Sequence, residues 1–407
     1  MTTTAIQYHP YVSVICVTFN RRPFFPAFFD CMRAQTYPKK RFEIIVVDDG
    51  TDCVRDARET HGHGLTVRYH RIENKMTLGA KRNLSHTFID KKTKYIVAAD
   101  DDDYHCRERI AHSVEMLEKT PDAMIAGAST LYVYFKHIQK MYQFGPYMPN
   151  RSDGVHTDRF SPRNTHSTNG CFAYRRALAE TRNYDDAACI AEEHSFLAEY
   201  TIPMIQLDPM KTILVVSHEH NTFDKRNLLN NPNPDFVKTS MKTVDMFITS
   251  PSIRKFFMVN IDPLLERYEP GHPRMKPDVL KQMHEMDIER AKMIQQLQSQ
   301  QQAQIQAQQQ QQQQQQMQSP QQQMQSHSQQ QPQDPNMTSI MFNEPGKPPR
   351  PLHSNEVVQI IQQLQSQVEY YTKYTADLEH KYNVLQNEHL DAVYKRSVVP
   401  SIDNKTI

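Results

Sequence analysis

The feature that most constrains this chain is a series of short apolar, β-branched runs, each ending in a cluster of polar residues. Tyr11 to Phe19 (YVSVICVTF), Phe42 to Val47 (FEIIVV) and Tyr95 to Ala99 (YIVAA) are the clearest. Runs of this length read as buried strands, and Leu65 to His70 reads as another. Between them, Phe24 to Ala34 has the aromatic face of a helix, and Gly79 to Phe88 opens a second. Strands alternating with helices need crossover connections, which predicts an α/β fold with a mostly parallel sheet flanked by helices. Ligands of such sheets sit beyond the carboxyl ends of the strands. Three ends here are polar: Thr18-Phe19-Asn20, Asp48-Asp49-Gly50-Thr51 and Asp100-Asp101-Asp102-Asp103.

Composition narrows the function classes. Lys and Arg number 47 against 46 Asp and Glu, a net charge of +1. That balance argues against a general nucleic-acid binder, which needs a basic excess or stripe. Six cysteines lie in the first half with no CxxC pair, which fits a reducing compartment better than a disulfide framework or a zinc site. The N-terminal residues show no signal-peptide pattern, and no stretch approaches 18 apolar residues. The expectation is a cytoplasmic protein.

Four regions follow from the pattern. Residues 10–230 form the α/β domain. Within it, residues 142 to 170 are rich in Pro, Asn, Ser and Arg, and read as a long functional loop that orders over the site. Residues 231–298 form a helical extension, with Val279, Met283, Met286, Met293 and Leu297 on a 4,3 spacing. Residues 299–352 hold the polyglutamine run Gln308 to Gln316 and read as a disordered linker. Residues 353–395 carry an apolar seam from Val357 to Leu385. That seam predicts a coiled coil, serving either a homo-oligomer or packing back on the domain.

Four adjacent carboxylates at a strand end repel one another unless a cation offsets them. Oxygen ligands in this number suit Mg²⁺ or Mn²⁺ held together with substrate phosphates. In order, Val17-Thr18-Phe19-Asn20-Arg21, Val47-Asp48-Asp49-Gly50-Thr51, Gly79-Ala80-Lys81-Arg82-Asn83 and Asp100-Asp101-Asp102-Asp103-Tyr104 resemble the family 2 glycosyltransferases of GT-A fold over residues 10–225.

The resemblance implies an inverting transfer of a sugar from a nucleoside diphosphate donor, most often UDP, to an acceptor of unknown class: glycan, protein or lipid. It implies that Thr18 and Asn20 line the nucleoside pocket, that Asp49 contacts the base and that Arg82 approaches the nucleotide. It places Asp102 on the metal and Asp100 or Asp101 on the ribose, with Asp100 a further candidate for the metal. Gly170, in Asn169-Gly170-Cys171-Phe172, would let backbone approach the donor. In Ala191-Glu192-Glu193-His194 the acidic pair would supply the base, with Glu193 in the position where the family usually has Asp. His218 or His220, ahead of Asn221, would complete the metal shell or reach the pyrophosphate. The rival reading is a degenerate nucleotide-sugar-binding scaffold that assembles through its coiled coil.

Overall fold

The computed structural model describes residues 9–147, 165–230 and 232–318, with two short strands at 341–342 and 350–351. The chain divides into two compact units, residues 1–306 and 307–407. In the second, Met341–Phe342 pairs antiparallel with Arg350–Pro351. Everything below concerns the first unit, except the far end of its last helix.

The strands β1 (Tyr11–Thr18), β2 (Phe42–Asp48), β3 (Val67–Arg71) and β4 (Thr93–Ala98) are parallel neighbours. The helices α1 (Phe25–Ala34), α2 (Arg55–His61) and α3 (Leu78–Thr87) connect them. Every residue of β1 and β2 is buried, as expected of a sheet covered on both faces. Alternate residues of β1 feed two cores. Val12, Val14 and Cys16 pack with Phe25, Phe28 and Phe29 of α1. Ile15 and Val17 pack with Phe172, Tyr174 and Phe196.

The chain then runs through β5 (Tyr104–His105), α4 (Arg109–Lys119), β6 (Ile125–Gly127), β7 (Leu131–Phe135) and β8 (Lys140–Phe144). After residue 165 come β9 (Ala173–Arg175), α5 (Arg176–Thr181), α6 (Glu193–Phe196), β10 (Met204–Gln206) and β11 (Ile213–Ser217). The first sheet has the order β10-β6-β9-β4-β1-β2-β3, with β9 antiparallel to both neighbours. A mostly parallel sheet flanked by helices is therefore what the chain forms. The second sheet was not expected. It has the order β12-β8-β7-β11-β5, with β12 at Val237–Thr239, and only β7 and β11 run parallel.

Residues 244–266 give α7 (Val244–Phe247), α8 (Pro251–Lys255) and α9 (Ile261–Glu266). Then α10 (Pro277–Gln318) runs straight through the polyglutamine run, where the sequence predicts disorder from residue 299. Gln is a good helix former, so the run extends a helix already nucleated upstream. Most of the loop expected at 142 to 170 lies outside the described residues, as does the coiled coil at 353–395.

Candidate active site

The carboxyl ends of β1, β2 and β4 meet on one edge of the sheet, where Thr18 stands opposite Asp48 and Ala98 opposite Ile15. Asp100 to Asp103 leave β4 directly over that edge. Arg21, directly after Asn20 with its left-handed φ of 53°, comes from the β1 loop to meet them. Its Nη2 lies 3.5 Å from Asp102 and its Nε 3.9 Å from Asp101. Its Nη1 donates to the His220 carbonyl at 2.6 Å.

The four carboxylates do not behave alike. Burial and the Asp102 charge push Asp101 up to about 7. Burial works to raise Asp102 too, but Arg21 and His218 outweigh it and hold it well below the ordinary range. Asp103, buried beside Asp102, is pushed well up. Among Asp101, Asp102 and Asp103, which interact closely, the anionic form is therefore most favoured on Asp102.

The opposite wall is built from α3 and the loop before α6. Arg82 donates to Glu192 at 2.6 Å and lies 3.5 Å from Asp100. Glu193 opens α6, and burial together with the Glu192 charge lifts it to about 8. Between the walls runs the 169–172 turn, held by buried Arg109. That guanidinium donates to the carbonyls of Cys171 at 2.8 Å, Gly170 and Phe172 at 3.1 Å, and Ala98 at 3.2 Å. A Cβ on Gly170 would stand 2.5 Å from Asp100 Oδ2, so a larger residue here would displace that carboxylate.

A cavity of about 330 Å³ lies between the walls. It brings together Thr18, Arg82, Asp100, Asp101, Asp102, Gly170, Glu192 and Glu193. Residues 13–182 match the family model described as Glycosyl transferase family 2. The chain carries a family 2 glycosyltransferase domain.

No curated protein matches the sequence. Among solved structures, the chain is similar to TarS of S. aureus, here residues 1–349 in complex with UDP-GlcNAc. Identity there is 18%, the TM-score 0.39, and 51% of this chain is covered against 59% of that one. A longer TarS chain is matched over 37% of its length, so this chain spans less than two thirds of those relatives. The mannosyltransferase PcManGT of Pyrobaculum calidifontis, in complex with GDP-Man and Mn²⁺, is similar at 16% identity and TM-score 0.40. That match covers 63% of this chain and 72% of PcManGT.

Four expected residues of the glycosyltransferase domain, Asn20, Asp49, His218 and His220, stand outside the cavity lining. Asn20 is committed to holding loops together. Its Nδ2 donates to Thr51 Oγ1 and to the Pro270 carbonyl, each at 3.0 Å, and its Oδ1 accepts from the Asp52 amide at 2.9 Å. Asp49 is taken up by Lys81 Nζ and by the Met76 amide at 2.7 Å. His220 stacks on Tyr268 and meets His272 edge-on, with Arg21 drawn to its carbonyl instead of its ring.

His218 reaches Asp102 from behind, with Nε2 3.4 Å from Oδ2. Burial depresses it to about 4, so it is neutral. Asn221 Oδ1 accepts from the His218 amide at 2.8 Å, which turns Nδ2 toward the ring nitrogen at 2.9 Å. Nε2 thus stands within reach of both Asn221 Nδ2 and the Asp102 carboxylate.

Among the described residues no three His, Cys, Asp or Glu side chains converge as a preformed metal cluster. Mg²⁺ and Mn²⁺ at nucleotide sites need only one or two carboxylates, with phosphates and water as the remaining ligands. Asp102 with His218 meets that requirement.

Sequence reasoning gave no role to Lys81, Lys276 or Arg109, and used Arg21 only as a motif letter. Each acts on residues more than sixty positions away, or on the aspartates from another loop. No local pattern marks such contacts.

Proposed function

We propose that this domain transfers a sugar from a nucleoside diphosphate sugar to an acceptor, with Glu193 as the base. The observation that carries the reading is the meeting, in one cavity, of the strand-end aspartates Asp100 to Asp102 and the acidic pair Glu192 and Glu193. Asp102 and His218 would hold the divalent ion. When bound, that ion supplies positive charge against the diphosphate as the glycosidic bond breaks.

The chain's own residues do the rest. Thr18 and Asp100 or Asp101 face the nucleoside and ribose. Arg82 fixes Glu192, and so fixes the turn that presents Glu193. Glu193 takes the acceptor proton as the sugar transfers. Inversion at the anomeric carbon and a UDP donor rest on the family resemblance.

The test is a thermal-shift and hydrolysis screen of UDP-, GDP- and dTDP-sugars, each with and without Mn²⁺. Stabilisation by one donor only with metal, with slow release of its nucleoside diphosphate, is expected. No shift with any donor would replace this reading with the scaffold.

A further inference from the structure

The family match ends at residue 182, yet the cavity has a wall from far beyond it. After α9 the chain returns to the β1 loop. Tyr268 Oη donates to Asp52 at 2.7 Å, and the Pro270 carbonyl accepts from Asn20. A Cβ on Gly271 would lie 2.7 Å from the Asn20 carbonyl, so this turn is pressed against the strand-end loop. Five residues later Lys276 enters the cavity, followed by Asp278 and Val279 of α10.

Lys276 is 8% exposed. Its Nζ donates to Thr222 Oγ1 at 2.8 Å and lies 5.9 Å from the Phe19 ring centroid. Thr222 also accepts from Arg21 Nη2 at 3.3 Å, so one hydroxyl sits between two cations. Two other cavity lysines differ: Lys81 is paired with Asp49, and Lys75 with Asp278. Among the described residues no carboxylate lies within ion-pairing distance of Lys276. A buried ammonium held by a hydroxyl and a ring, beside a guanidinium, is a charge without its counter-ion. Burial and Arg21 lower it to about 7, as that situation demands.

We propose that Lys276 binds the diphosphate of the donor, so that the extension beyond the matched family segment completes the donor site. This rests on the function proposed above. The counter-ion the site lacks is one the donor brings, since a diphosphate offers several anionic oxygens to a lysine point charge. The same segment serves the other wall. Gln282 Oε1 accepts from the Cys189 and Ile190 amides at 2.7 and 3.0 Å, which fixes the turn leading to Glu192 and Glu193.

The experiment compares the full chain with Lys276→Met and Lys276→Arg. Binding of UDP and GDP, and of uridine and guanosine by competition, is measured with Mn²⁺ by calorimetry. Unfolding temperatures are taken without ligand. Lys276→Met is expected to weaken the bound nucleoside diphosphate by about ten- to a hundredfold. It should leave the nucleoside unchanged and the free protein at least as stable as wild type. Lys276→Arg is expected to restore most of the affinity.

Unchanged diphosphate affinity, or equal loss for diphosphate and nucleoside, would overturn the assignment. So would a free protein destabilised by both variants, which marks a structural lysine. A wild type that binds no nucleotide removes the proposed function, and this inference with it. Wild-type binding with no effect of Lys276→Met removes this inference alone.

Discussion

The two walls of the cavity are both acidic, and Asp102 on one is pushed the opposite way from Glu193 on the other. On the strand side Asp102 is buried, yet it is held charged by Arg21 and His218. On the loop side Glu193 is close to Glu192, whose own carboxylate is spent on Arg82, and is lifted to about 8. The difference lies in what each carboxylate faces. One faces a guanidinium and an imidazole, which keep it an anion. The other faces a second carboxylate in a half-buried turn, which keeps a proton site near neutral pH. Pairs of acids pushed apart by their surroundings mark an acid–base division of labour.

The largest effect that would break this contrast is expected at Asp102. Asp102→Asn removes the settled charge and is expected to cost on the order of a thousandfold or more in kcat/KM. Arg21 keeps the His220 carbonyl and Thr222, so the unfolding temperature should hardly change. Retained transfer at a saturating metal concentration would mean that the strand-side charge is not used.

Glu193→Gln probes the other wall and is expected to lower kcat by about a hundred- to ten-thousandfold. Donor affinity should stay the same, because the side chain is given no donor contact. Weakened donor binding with kcat intact would reverse the roles of the two walls.

The pH profile sharpens the contrast further. A base must be deprotonated to act, and Glu193 sits at about 8. The profile of kcat at saturating donor, where the diphosphate holds Lys276 charged, is therefore expected to rise with pH up to about 8 and level off above it. Burial is the larger cause and the Glu192 charge the next, so Glu192→Gln should move the rising limb toward acid. A limb that does not move would mean that another group sets it.

What could be read from the sequence follows the same division. The parallel strands were legible because burial on both faces makes them continuous apolar runs, and β1, β2 and β4 fall within two residues of their expected bounds. The second sheet was not legible. Its strands have five residues or fewer, and β11 pairs with β7 some eighty residues earlier, which no local period encodes. The aspartate run and the Glu192–Glu193 pair stand out as adjacent letters. Arg109 and Lys276 do not, because a lone basic residue in sequence looks the same whether it is solvated or buried. For Asn20 and Asp49 the motif gave the position, but their partners, Pro270 and Lys81, come from other elements.

The smallest expected effect tests whether the loop-side wall is as dry as its raised glutamate implies. Burial disfavours whichever form is charged, so it should depress a base in the same place that it lifts an acid. His86 lies one turn beyond Arg82 on α3, with Nε2 2.8 Å from Tyr174 Oη. Burial, and then the Arg82 charge, lower it from 6.5 to about 4. Between those two values the unfolded chain binds a proton that the folded chain refuses. The stability His86 contributes is therefore full above about 6.5 and is lost as pH falls toward about 4. His86→Gln, which keeps a partner for Tyr174, removes that proton uptake. Denaturant unfolding at pH 7, 6 and 5 (about two units spanning that window) should show a wild-type slope steeper than the variant's by up to about 1.4 kcal/mol per pH unit. Parallel lines would mean that water reaches α3 behind Arg82. Burial would then no longer account for the lifted Glu193 either, and the contrast between the walls would rest on the Glu192 charge alone.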